Sequence, residues 1–535
     1  MSNYKPYRTI FIGDLVQETG LSTGGRDGDL YADAIMARDG KGSPVLRGSG
    51  LAGALLATLD DFRGTHRDDI SRRLEGLGES ETTTESLWLM HHAHLLTKKA
   101  QPMVRPNVVV HPWTGAAADG LYFSTEILPR GTRWRLIIET DDWRDHYVEK
   151  GEQAANRLLA LALHEWEKGC CWLGRSPARG LGWARLENLQ VFSLDSRAAS
   201  FWPNADKDDE RNIALLMAKA KKQKDSEQQD SCVEHKSTVD HLLGEFKPER
   251  LCAWKFYKGQ ISIGERTSKD EESYGLDSLS TLARDFPDDT AVMQSWFPQS
   301  VDLGDLGSPI SHTIEPDSVP AWTRAPEPDA EDSAKDYEFI VPGSAIRGAL
   351  RSGLSAWMRR ADKTNGGSDK KSERSSDDPL LPMFGSIEHD SNLLISDARV
   401  VDNTPEIYLQ DQHAEDEFTQ GVYASAKFNR PCLISGKFEF DLAIRVRETV
   451  QPDSTTDKQP DHMGHTEQLG LRGQALHNTK NALKLADKLG SQRFLPIGGG
   501  VWRGHGWIEL RIEPINERAQ SCPAKDQAIA QEETT

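Results

Sequence analysis

Apolar residues fall at every second position in two stretches of this chain, TRWRLIIE at Thr132–Glu139 and KFEFDLAI at Lys437–Ile444. That period predicts strands with one buried face. Each strand follows a polar, glycine-containing excursion that begins near His111 in the first case and His413 in the second. Further upstream in each half, an apolar run breaks at a Gly-Ser pair and resumes at helical spacing. The two segments are SPVLRGSGLAGALLATL at Ser43–Leu59 and YEFIVPGSAIRGALRSGLSAWM at Tyr337–Met358. Both read as strand, turn, helix. Later in each half comes a glycine-rich turn before a last strand, CWLGRSPARGLGWARLENLQVF at Cys171–Phe192 and RFLPIGGGVWRGHGWIELRI at Arg493–Ile512. The pattern R-G-x-G-W is common to both. Two more helices are expected, near Ala155–Glu165 and Thr479–Leu489.

These elements recur in the same order, which marks an internal duplication. The Gly-Ser pairs are offset by 295 positions (Gly48 to Gly343) and the R-G-x-G-W turns by 324 (Arg179 to Arg503), so the second copy carries an insertion. Strands and two helices in this order predict an α+β fold, two tandem ferredoxin-like or RRM-like domains with helices on one face of each sheet. The expected division is a first domain over 1–198, a charged linker or insertion over 199–290, a second domain over 291–515 and a disordered tail over 516–535. Within the linker, ERNIALLMAKAKKQKD reads as helix and Trp254–Gly264 as a hairpin, while Arg360–Pro379 is low-complexity and expected to be mobile.

Length and composition narrow the function. A chain of 535 residues exceeds one ordinary core. No run approaches the roughly 20 apolar residues of a membrane span, and no secretory signal is visible, so a cytoplasmic protein without a membrane partner is expected. The six cysteines are scattered, with neither CxxC nor the paired Cys/His spacing of a zinc site. Free thiols in a reducing compartment are the expectation. A net charge of -19 argues against a protein that coats nucleic acid with its whole surface. Much of the acid lies in loop-like segments, among them Asp206–Glu210, Glu327–Asp336 and the tail from Glu517. Any RNA site must therefore be a local groove.

The duplicated turns have the chemistry for such a groove. A Gly-Ser pair opening a helix presents backbone N–H groups at the positive end of the helix dipole, which suits a phosphate. Gly48, Ser49, Gly343 and Ser344 hold that place, and Arg347 and Arg351 follow one turn apart. The glycine-rich turns add Arg179, Gly180 and Gly182 in the first copy and Arg503, Gly504 and Gly506 in the second. Their glycines leave N–H groups without side-chain obstruction, and the tryptophan that ends each motif is available to stack or to pack.

At these residues the sequence resembles the RAMP superfamily of CRISPR-associated proteins, and in particular the repeated backbone subunits of type III effector complexes. FIVPGSAIRGALR at Phe339–Arg351 matches the family's Gly-Ser segment, and PMFGSIEHDSNLLISDARV at Pro382–Val400 its following strand that ends in Asp-Ala. RGLGW and RGHGW match its glycine-rich loop. The first copy departs from the pattern, with Arg47 for the proline and Ala52 for the basic residue. The resemblance implies an RRM-like core that holds guide RNA, with thumb-like insertions near Val108–Thr125 and Asn403–Lys427. It implies as partners a CRISPR guide RNA, a single-stranded target RNA and other type III subunits, including the large polymerase-like one. It also implies target-RNA cleavage by an aspartate in the loop before each Gly-Ser helix, with a divalent metal such as Mg2+. Asp33 is the candidate in the first copy and Asp317 in the second, where Asp277 is a rival. Each is at once catalytic candidate and metal ligand. His111, His312, His413 and His505 lie in or beside these loops and support an alternative, a metal-independent endoribonuclease that processes the guide. A structural subunit without chemistry is a third reading.

Overall fold

The computed structural model describes residues 6–25, 28, 32–62, 86–110, 117–142, 154–195, 233–236, 240–244, 246–264, 278–283, 286–297, 316–327, 336–364, 380–386, 390–401, 405–415, 422–447 and 479–515. The segments read from sequence as a helix in ERNIALLMAKAKKQKD, as most of the low-complexity stretch after Arg360 and as a tail over 516–535 lie outside the described residues, as does Asp277.

In the first copy, β1 (Pro6–Gln17) leads through a long loop to α1 (Gly48–Leu59) and the short strands β2 (Trp88–Met90) and β3 (Ala93–Leu95). A hairpin of β4 (Met103–Val110) and β5 (Ala117–Ile127) precedes β6 (Arg133–Thr140), α2 (Ala154–Glu167) and β7 (Trp183–Asp195). β1 pairs antiparallel with β6 on one side and β7 on the other, and β2 and β3 pair with the far edge of β6. The alternation read from TRWRLIIE is real: Trp134, Leu136 and Ile138 are fully buried beneath α1, whose Leu51, Leu55 and Leu59 recur every fourth residue. Trp166 of α2 closes the same core.

The second copy repeats this arrangement, but its first strand is not where the sequence reading put it. After β8 (Val233–Lys236), which extends the first sheet beside β7, comes β9 (Cys252–Ile263). The second copy continues with β10 (Tyr337–Val341), α3 (Gly343–Thr364), β11 (Leu393–Ile395), β12 (Ala398–Val400), a hairpin of β13 (Ile407–Glu415) and β14 (Val422–Leu433), and β15 (Gly436–Arg447). It ends with α4, helical over 479–491, and β16 (Glu509–Pro514). β9 is the central strand, paired with β15 along its length and with β16 on its other side. Trp254–Gly264 is therefore no hairpin, and 199–290 is no linker between domains: it supplies an edge strand to one sheet and the middle strand to the other. The second domain begins near 252 rather than 291. Residues 360–364, read as mobile, continue α3. In its core Ile346, Leu350 and Leu354 of α3 meet Phe438, Phe440, Leu442 and Ile444 of β15.

The copies are packed against each other. Trp183 of the first lies in one cluster with Leu394 and Ala443 of the second, bordered by Trp172, Ala178, Trp254 and Phe256. Trp172 meets the rings of Trp183 and Trp254 at 5.0 and 4.9 Å between centroids. At another point of the junction, Arg445 donates to Asp61 from Nε at 2.7 Å. The tryptophan of the first R-G-x-G-W thus packs instead of stacking on a ligand, whereas its counterpart Trp507 is 41% exposed.

Candidate nucleic-acid interface

The glycine-rich turns have the same geometry in both copies. Pro177–Arg179 and Val501–Arg503 form single 3-10 turns, flanked by left-handed residues Ser176 and Gly180 in one and Gly500 and Gly504 in the other. The final glycine is required by space. A Cβ on Gly182 (φ +80°) would stand 1.8 Å from the Leu173 carbonyl oxygen, and one on Gly506 (φ +81°) 2.2 Å from that of Ile497. The turn N–H groups are spent within the fold: Arg179 and Leu181 donate to the Ser176 carbonyl, Gly180 to that of Pro177 and Gly182 to that of Gly20. Arg503, Gly504, His505 and Gly506 repeat this pattern. These glycines shape a platform, and what each turn extends to a ligand is its arginine.

The helix starts differ from expectation in a similar way. The Gly48 N–H donates to His92 Nδ1 at 3.0 Å, and the Gly343 N–H to Asp397 Oδ1 at 2.8 Å. Neither glycine offers its own N–H to a phosphate. Ser49 is exposed and Ser344 half-buried at the ends of their helices.

Asp397 links the candidate elements. While Oδ1 holds the start of α3, Oδ2 pairs with Arg105 Nη1 at 2.7 Å, and both side chains are 9% exposed. Arg105 stands on β4, at the base of the first copy's hairpin. Gly180 of the first copy's turn lies against the same carboxylate, where a Cβ would stand 2.8 Å from Asp397 Oδ1. One buried aspartate of the second copy thus fixes the first copy's hairpin and glycine turn beside α3. Its signal in the sequence was the Asp-Ala that ends NLLISDA.

Around this joint lies a cluster of arginines. Arg347 of α3 donates from Nη1 to the Ala178 carbonyl at 3.4 Å across the junction, and also to Ser391 Oγ and the Leu393 carbonyl, with Nη2 on the Phe384 carbonyl. Arg347 and Arg351 both lie over the Phe384 ring, 5.3 and 6.0 Å from its centroid. Burial, with the neighbouring charges of Arg351 and Arg179, brings the Arg347 guanidinium down to about 10. The acceptors that hold Arg347 are carbonyl and hydroxyl oxygens. Arg179 of one copy and Arg347 and Arg351 of the other therefore converge on one electropositive seam in an otherwise acidic protein.

The candidate aspartates occupy equivalent positions. Asp33 Oδ2 accepts from Ser124 N at 2.7 Å and Ser124 Oγ at 2.9 Å, and these bonds hold its carboxyl below the usual range. Asp317 Oδ2 accepts from Asn429 N at 2.8 Å, and its own N–H donates to Asn429 Oδ1. Ser124 and Asn429 are matched residues of β5 and β14. The preceding ring in each is covered by the turn arginine: Arg179 lies 6.0 Å from Phe123 and Arg503 5.5 Å from Phe428. Consecutive strand residues face opposite ways, so aspartate and arginine flank the same strand in each copy. A further repeat, LSTGGRD at Leu21–Asp27 and LSTLARD at Leu279–Asp285, follows the first strand of each copy. Leu21 bridges Leu128 and Leu279 bridges Leu433, which confirms the register.

As metal ligands, Asp33 and Asp317 are both exposed and each leaves one carboxylate oxygen without a partner among the described residues. Among those residues no group of three or more His, Cys, Asp or Glu could hold an ion. One carboxylate oxygen suits a Mg2+ that keeps its waters and shares substrate phosphates, not an ion caged by protein. Of the histidines, His505 is 6% exposed with Nδ1 2.7 Å from Ser278 Oγ, His413 is exposed on β13, and His111 and His312 lie outside the described residues.

Fold and site define a tandem-duplicated α+β protein whose two copies meet along an electropositive seam. The sequence agrees: the model of the RAMP superfamily matches residues 18–185 and again 324–509, well over half of the chain, and the protein belongs to that superfamily. Each match begins after the first strand of its copy. No curated protein matches the chain. No helix among the described residues is long and apolar enough to cross a membrane.

Proposed function

We propose that this protein is a double backbone subunit of a type III CRISPR effector complex, built of two ferredoxin-like (RRM-like) domains, and that it carries guide RNA along the seam between its copies. The observation that carries this reading is the convergence of Arg179, Arg347 and Arg351 at the junction of the copies, close enough that the first and last depress the Arg347 guanidinium. Arg347 is fixed by four acceptors, so it braces the seam, while Arg179 and Arg351 are exposed, where a phosphate backbone would meet them. Recognition of this kind reads the backbone and leaves target sequence to base pairing. The remaining partners would be a complementary single-stranded target RNA and neighbouring subunits, the large polymerase-like one included.

Cleavage of the target is assigned to Asp33 and Asp317. Each is held by a backbone N–H of the hairpin strand, which orients its free oxygen beside the thumb-like hairpin. A charged carboxylate there can position the ribose 2'-hydroxyl or accept its proton. A Mg2+ arriving with the RNA would supply stabilisation of charge on the phosphate. The aspartates are favoured over a histidine because they stand at matching positions in the two copies, each held by the same hairpin strand.

The test is cleavage of guide-complementary RNA by the assembled complex, with and without Mg2+, comparing the unaltered chain with Asp33→Ala and Asp317→Ala. The reading expects each substitution to remove a different product. Retention of every product in both variants removes the assignment. Full activity without any divalent ion would favour the histidine-based alternative.

A further inference from the structure

The two glycine turns differ in what lies beneath them. Under the first are Leu181, Ile127, Thr125 and Gly20; at the matching places under the second are His505, Cys432, Arg430 and Ser278. The register is fixed by equivalent bonds, since Gly182 donates to the Gly20 carbonyl and Gly506 to that of Ser278. A plug without charge in one copy is thus an electropositive cluster in the other.

That cluster has donors left over. Arg430 Nη1 donates to Ser280 Oγ at 3.2 Å, but Arg430 Nε is buried without a partner among the described residues. His505 is 6% exposed, with Nδ1 2.7 Å from Ser278 Oγ and 3.7 Å from Cys432 Sγ, and its Nε2 is likewise buried without a partner. Arg430 Nε is a donor, and so is His505 Nε2 in the tautomer whose Nδ1 accepts from Ser278 Oγ; a buried donor in this state costs about 1–3 kcal/mol unless something accepts from it. Ser22, the first copy's equivalent of Ser280, has no partner for its Oγ among the described residues, and Thr125 stands where the second copy has Arg430.

The backbone at the same point carries no side chain. Where the first turn has Arg175 and Ser176, the second has Gly499 and Gly500. A Cβ on Gly500 would stand 2.7 Å from His505 Cδ2 and 3.3 Å from Arg430 Nη1, and one on Gly499 3.1 Å from Arg430 Nη1. Only glycine at these two places lets the imidazole and the guanidinium come this close to the turn backbone. The charges that bear on His505 are those of Arg430 and Arg503, which with burial hold its ring below the usual range. Arg503 itself donates to Gln412 Oε1.

We infer that Arg430, His505 and the Gly499–Gly500 turn form an anion site for one phosphate group, present in the second copy only. The inference rests on the RNA-binding reading for its natural ligand, a backbone phosphodiester, although a free phosphate has the same chemistry. Through this site the second copy would hold a phosphate that the first does not.

The experiment uses the full chain. Thermal unfolding is followed against inorganic phosphate at constant ionic strength set with chloride, for the unaltered protein, Arg430→Thr and His505→Leu, which install the first copy's residues. The expected result is a phosphate-dependent rise in Tm that saturates, is absent in chloride and is lost in both variants. No phosphate-specific rise, or one retained in the variants, overturns the site. Should the variants fail to fold, crystals of the unaltered chain grown with selenate decide. An anomalous peak in reach of Arg430 and Gly500 supports the site; its absence there overturns it.

A second arm identifies the source of the phosphate. If RNA occupies the site, Arg430→Thr lowers the slope of log affinity against log salt for single-stranded RNA by about 0.7, the value for one phosphate. Loss of the phosphate effect with an unchanged slope assigns the site to a free phosphate instead. Failure of the unaltered chain to bind RNA at all refutes the proposed function, while the phosphate titration still decides the site.

Discussion

Removing the carboxylate of Asp397 should loosen the junction more than any other single change at the surface between the copies. The Arg105–Asp397 pair is 2.7 Å long, with 9% of each side chain exposed. In Asp397→Ala the guanidinium of Arg105 stays buried with its charge uncompensated, a cost of about 3–5 kcal/mol, and the N–H of Gly343 loses its acceptor as well. Arg105→Met strands the opposite charge. In the double variant neither charge remains, so it should be more stable than the sum of the two single losses implies by about 1–3 kcal/mol. Urea unfolding of the four proteins, at fixed protein concentration, measures the coupling from the midpoints and slopes. A loss below about 1 kcal/mol in Asp397→Ala, or strict additivity, would refute the view that this pair joins the copies.

Other consequences follow from the same geometry. Gly182→Ala and Gly506→Ala each combine a positive φ with a backbone collision, and should lower stability by about 2 kcal/mol or more, checked by urea midpoints. Arg347→Gln should destabilise because it removes hydrogen bonds to buried carbonyls, whereas Arg179→Ala should leave the unfolding midpoint almost unchanged. The Asp33 carboxyl is held down by Ser124, so the stability it gives is present above its unfolded value and is lost as pH falls through the lower folded one. Its carboxylate is then charged at neutral pH, and an acid limb between about pH 5 and 8 in cleavage belongs to another group. Titration of the Asp33 carboxyl within that window, followed by NMR on the unaltered chain, contradicts this.

The parts of the fold legible in the sequence were those coded locally. A Gly-Ser helix start and an R-G-x-G-W turn each occupy a few residues, and alternation in TRWRLIIE and KFEFDLAI reports burial directly. β9 was misread because it is separated from β10 by more than 70 residues, and both of its neighbours, β15 and β16, come much later in the chain. The repeated LST-x-x-R-D motif would have placed it, since that motif follows the first strand of each copy. Asp33 and Asp317 could be suggested from the sequence, but their equivalence emerges only from the hydrogen bonds to Ser124 and Asn429. The role of Asp397 was hidden for a similar reason. Its partner Arg105 lies in the other copy, and the residue matching Arg105 in the second copy is Gln410. The expectation of free glycine N–H groups failed because a turn this tight satisfies them internally.

The central claim is that RNA lies along the seam between the copies. It is tested most directly by the affinity of the full chain for single-stranded RNA across a range of salt, comparing the unaltered protein with Arg179→Ala, Arg351→Ala and the double variant. Each single change should weaken binding of all sequences alike and lower the salt slope by about 0.7, with the double variant near twice that. Unchanged affinity and slope in the double variant, with the fold intact, would place the RNA elsewhere and contradict the account.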